Sequence, residues 1–156
     1  MRHGQFEWHP LMQDLPHHYQ VSAQSGPEGD VGLDTAGVPA LASAAPVEFG
    51  GPGGRWSPES LLVAAVADCF VLSFRAIARA SRLPWTALQC DVEGTLARAD
   101  GKTKFTEFAV RATLQMPAGG DTDKARTLLA KAEASCLITN SMTATIHLTA
   151  VVEVAG

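Results

Sequence analysis

SPESLLVAAVADCFVLSFRAIARASR, residues 57–82, opens with the signals of a helix start. Ser57 is of the N-cap type, Pro58 suits the first helical turn, and Glu59 sets a carboxylate near the positive end of the helix dipole. From Leu61 to Leu72 every residue is apolar except Asp68. A helix apolar on nearly all sides is expected to be buried. At 1.5 Å per residue the stretch would run about 39 Å. That is long for a small domain, so the remaining chain is expected to wrap around it. Cys69 lies at its middle, beside Asp68, which the pattern places deep in the protein.

Leu83-Pro84 ends this helix, and Thr86–Ala97 then alternates in polarity. Leu88, Cys90, Val92 and Leu96 face one way, as in a half-buried strand. Asp100-Gly101 signals a hairpin turn, and Phe105–Met116 alternates again. Asp121 or Thr122 caps a second helix reaching to about Cys136, with Ala125, Leu128, Leu129, Ala132 and Cys136 on one face. A loop through Asn140 leads to a last strand, Ala144–Val154. Upstream, residues 1–16 read as an arm. His17–Gln24 and Asp30–Asp34 read as strands, and Val38–Val47 as a third that Pro39 and Pro46 confine to an edge. FGGPGGRW, residues 49–56, has neither GK[ST] nor G-x-G-x-x-G, so it reads as a flexible connection rather than a phosphate loop. The expectation is an α+β fold: one domain with its core over 17–154, a largely antiparallel sheet, and two helices on one face.

The 156 residues fit one domain, and 46% hydrophobic content is enough for a core. Net charge is −4 with no basic block, which argues against nucleic acid. Asp68 and Arg75 interrupt the longest apolar run, so no membrane span is expected. The N-terminus has no apolar h-region of a secretory signal. Three cysteines, an odd number, point to free thiols in a reducing, cytoplasmic setting.

Cys90, on an inward strand face, reads as a small core hydrophobe. Cys69 and Cys136 lie on the two helices, and helices on one face of a sheet can bring them together. Such a thiol pair points to redox or metal chemistry. Zinc needs three or four ligands at recognisable spacings, and neither cysteine has them nearby in sequence. His17 and His18, adjacent in a strand, point to opposite faces, so at most one could join. For redox chemistry Cys69 is the better nucleophile, because Cys136 at a helix C-terminus meets the wrong end of the dipole. Asp68 would oppose a thiolate on Cys69, so a cation must compensate. Arg75 and Arg55 are candidates, and Arg55 in the glycine loop is the freer of the two.

S-P-E-S-L-L-V-A-A-V-A-D-C-F, with Glu59 ten positions before Cys69, resembles the central-helix signature of the OsmC/Ohr family, the osmotically induced and organic hydroperoxide resistance proteins. Cys136, in A-E-A-S-C-L-I-T-N-S, follows 67 residues later (136 − 69), similar to the family's spacing. The resemblance spans roughly residues 17–154. It implies an intertwined homodimer, with Cys69 as peroxidatic and Cys136 as resolving cysteine. It further implies an organic hydroperoxide substrate, a dithiol reductant such as a lipoylated protein, and no cofactor. Glu59 would orient an arginine near the thiolate. About 15 Å of helix separates Glu59 from Cys69 of its own chain, so Glu59 is expected to act mainly across the dimer. The family's early-hairpin arginine has no counterpart in SAQSGPEGD, since no arginine occurs between Arg2 and Arg55. Arg55, His17 or His18 would then supply the cation. The residue after the second cysteine, commonly proline in the family, is Leu137. Val66, Phe70, Leu72 and Phe74 around Cys69 suit an apolar peroxide. Two other readings stay open on the same residues: a hydrolase or transferase using Cys69 alone, and a binding module for a small hydrophobic ligand.

Overall fold

The computed structural model describes residues 12–156, so most of the arm expected at 1–16 lies outside the described residues. In chain order the elements are β1 (Ser22–Gln24), β2 (Val31–Asp34), β3 (Leu41–Ser43), α1 (Pro58–Ala80), β4 (Ala87–Ala99), β5 (Lys102–Met116), α2 (Thr122–Ala134), α3 (Leu137–Asn140) and β6 (Thr145–Val154). A short 3-10 turn, Val47–Phe49, sits between β3 and α1.

The architecture is α+β, with two three-stranded sheets. β1, β2 and β3 form an antiparallel meander with β3 at one edge. In the second sheet β4 pairs antiparallel with β5, and β6 pairs parallel to β5. Parallel pairing requires a crossover, and α2 provides it. The first strand is shorter than its composition suggests, because β2 spans only four residues and pairs with Ser22 to Gln24 alone. FGGPGGRW is not slack. Gly51 N–H donates to Pro46 O at 3.0 Å, and Ala44 N–H donates to Trp56 O at 2.9 Å.

Ser57 caps α1 by a reciprocal pair. Ser60 N–H donates to Ser57 Oγ at 3.1 Å, and Ser57 N–H donates to Ser60 Oγ at 2.9 Å. Serine takes the part of the usual glutamate in this capping box. Only Val66, Phe70, Phe74 and Ala78 of α1 are buried, a single i, i+4 stripe. The expectation of a helix buried all round is therefore corrected for the isolated chain, and Asp68 is exposed rather than deep. One chain supplies packing to one face of α1 and leaves Leu72 51% exposed on another. By length and composition α1 could cross a membrane. Its stripe instead packs in the core with Phe108, Leu114 and Met116 of β5 and Ala125, Leu129 and Ala132 of α2.

The β4–β5 hairpin turns at Asp100 (φ 53°) and Gly101 (φ 74°), the two positive angles of a type I′ turn. α2 ends at Ala134, earlier than its apolar spacing suggests, and Ser135 closes it. Cys136 is then the N-cap of α3, a helical turn where a loop was expected. Cys136 is thus not the last residue of α2, where the dipole would oppose a thiolate, but the residue that opens the next helical turn.

Candidate thiol site

Cys69 sits beside the buried stripe of α1, and α3 packs against α1. This contact brings Cys136, which is buried, to the Cys69 sulfur. Cys69 Sγ lies 4.0 Å from Ser73 Oγ, one helical turn on. Burial pushes the Cys69 thiol up. The backbone N–H of Ile138, the Cys136 thiol, the Ser73 hydroxyl and the backbone N–H of Leu137 more than offset this, and the thiol falls below its ordinary value. Donors aimed at sulfur favour the thiolate, the form that reacts. Cys90 behaves oppositely. Burial, then the neighbouring Asp91 and Cys136, push it up to about 11. All three cysteines are free thiols.

Above Cys69 opens a cavity of about 630 Å³. Its walls are Tyr19, Ala65, Asp68, Leu72, Ser73, Leu137, Ile138 and Ser141. Among the described residues, no lysine, arginine or histidine lines it.

The other site residues lie at the start of α1. Arg55 Nε donates to Asp30 Oδ2 at 2.8 Å, and Arg55 Nη1 donates to Gly54 O at 3.2 Å. Glu59 Oε2 is buried with no hydrogen-bond partner among the described residues. Its residue borders an apolar groove of about 490 Å³ with Val31, Leu33 and Phe49. One chain thus joins Cys69 to Cys136 and keeps Arg55 and Glu59 apart from them. His17 Nε2 donates to Gln13 O at 2.9 Å, and Tyr19 OH donates to His17 Nδ1 at 3.4 Å. Neither His17 nor His18 lines the cavity. Among the described residues no group of three His, Cys, Asp or Glu could hold a metal ion.

Sequence reasoning missed Tyr19, Ser73 and the N–H groups of Leu137 and Ile138. Ser73 was within reach, as it lies at i+4 from Cys69 on a clear helix. The α3 donors had no signal, since the turn that aims them follows from tertiary contact with α1.

The family model described as OsmC-like protein matches residues 51–151. An uncharacterized protein of Bacillus subtilis (strain 168), YmaD, is 27% identical over 136 residues, covering 85% of this chain and 91% of that protein. An OsmC-like protein of unknown function from Vibrio cholerae superposes with a TM-score of 0.79 at 16% identity, covering 87% of this chain and 100% of that one. An organic hydroperoxide resistance protein OsmC from Legionella pneumophila superposes with a TM-score of 0.70 at 27% identity, covering 90% and 99%. An organic hydroperoxide resistance protein from Elizabethkingia anophelis gives 0.72 at 19% identity, covering 92% and 100%.

Proposed function

The chain belongs to the OsmC-like protein family, and from this we propose that it is a thiol-dependent peroxidase that reduces organic hydroperoxides. The observation that carries the reading is the meeting of Cys69 and Cys136, with donors gathered on the Cys69 sulfur. The Cys69 thiolate attacks the terminal oxygen of ROOH. An S–O bond forms, the O–O bond breaks, and the leaving alkoxide takes a proton to give the alcohol. Cys136 then attacks the sulfenic sulfur. An S–S bond forms, the S–O bond breaks, and hydroxide leaves with a proton as water. A dithiol, such as a lipoylated protein in a reducing cytoplasm, restores both thiols. No cofactor takes part in these steps.

Two residues complete the site in a homodimer. Glu59, whose buried oxygen has no partner among the described residues, would reach a partner's thiol site, and Arg55, held by Asp30, would supply the cation that no described residue gives the cavity of one chain. A buried carboxylate oxygen without a partner is costly, which favours an interface that gives it one. The hydrolase reading is weaker, because no histidine lines the cavity to act as base among the described residues.

Consumption of cumene hydroperoxide with dihydrolipoamide as reductant tests the reading. Wild type turns over and Cys69→Ser does not. Cys136→Ser stalls after one turnover with a sulfenic acid that dimedone traps on Cys69. Turnover by Cys69→Ser at the wild-type rate rejects the mechanism.

A further inference from the structure

We propose that Tyr19 is a specificity-determining residue: it forms one wall of the Cys69 groove and selects electrophiles that carry an aryl group. The inference rests on the reading of Cys69 as the reacting thiol. Tyr19 comes from the segment before β1, outside residues 51–151 that the family model matches. The fold nevertheless brings it to the same cavity as Cys69, Leu72 and Leu137.

The tyrosine is positioned without being covered. Its hydroxyl donates to His17 Nδ1 at 3.4 Å, and the two rings meet edge-on at 6.4 Å. The far nitrogen of His17 is tied to Gln13 O at 2.9 Å. Yet Tyr19 remains 87% exposed, and Leu72 and Leu137 are 51% and 74% exposed. These side chains present apolar surface to water around a nucleophile. An aryl group bound to an electrophile in the groove would bury that surface and meet the Tyr19 ring in offset or edge-on contact. Hydrogen peroxide would bury almost none of it. Asp68 at the rim disfavours an anionic electrophile, so the occupant is a neutral molecule with an aryl tail. The thiol on the floor, with donors gathered on its sulfur, argues for a small reactive molecule as the occupant and not a protein surface.

The test compares two neutral thiol reagents on the full chain, iodoacetamide and N-phenylmaleimide, with rates read at Cys69 by peptide mapping. Tyr19→Ala is expected to lower the ratio of maleimide to iodoacetamide rates roughly three- to tenfold, the worth of one aromatic contact. Tyr19→Phe keeps the ring and is expected to keep the ratio. The KM for cumene hydroperoxide rises by a similar factor in Tyr19→Ala, and the KM for hydrogen peroxide does not. A ratio within twofold of wild type in Tyr19→Ala overturns the assignment. So does an equal fall in Tyr19→Phe. If the ratio falls as expected but wild type consumes no hydroperoxide, the peroxidase reading fails and the Tyr19 assignment stands.

Discussion

Cys69 and Cys90 are the same residue type in opposite surroundings. Around Cys69, two backbone N–H groups, a thiol and a hydroxyl outweigh burial and lower the pKa. Around Cys90 burial acts with the neighbouring Asp91 and Cys136 and raises it to about 11. The raised value has a consequence for stability. Cys90 holds its proton more tightly when folded than when unfolded. Its contribution is therefore complete below the ordinary value of 9.0 and is lost as pH climbs through about 11. Thermal unfolding followed from pH 8 to 11 is expected to show a falling Tm in wild type and a shallower fall in Cys90→Ala. Identical slopes in the two proteins would show that Cys90 does not carry this effect. The inward placement of Cys90 was legible, because alternation along Thr86–Ala97 assigns faces directly. The lowered pKa of Cys69 was not, since three of its four donors, the Cys136 thiol and the Leu137 and Ile138 N–H groups, lie almost seventy residues away.

At the level of elements, the start of α1 and the Asp100-Gly101 turn could be read residue by residue, because capping and turn chemistry are local. Three features depended on contacts between elements and could not: the early end of α2, the parallel β5–β6 pair, and the one-sided burial of α1. Gly94 of β4 belongs with them. A Cβ built there would lie 2.8 Å from the Phe108 ring, 3.0 Å from the Phe105 ring and 3.0 Å from Val63. Phe108 is fully buried and stacks on Phe105 at 5.2 Å, so the rings have little room to yield. Gly94→Ala is expected to destabilise the fold by about 1–3 kcal/mol through overpacking. Glycine elsewhere in a strand interior is a weakness, and replacing it should help. Denaturant unfolding of Gly94→Ala at or above wild-type stability would place α1 differently against β4.

For the whole molecule, the exposed apolar surface is the central fact. Phe49 and Trp56 are 62% and 48% exposed, and the buried Glu59 oxygen has no partner among the described residues. Patches of this kind mark interfaces. The proposed homodimer would cover them and bring Arg55 and Glu59 of one copy to the thiols of the other. Light scattering is expected to give a mass near twice the 16.4 kDa of the chain, and a monomer at micromolar concentration would remove the basis for a shared site. Peptide mapping after one equivalent of cumene hydroperoxide distinguishes a working Cys69–Cys136 pair from two inert thiols. The expected result is loss of two hydrogen atoms from the intact chain and a single disulfide joining the Cys69 and Cys136 peptides. A chain that stays fully reduced at that dose, or an oxidised Cys69 that never pairs with Cys136, rules out the two-cysteine peroxidase.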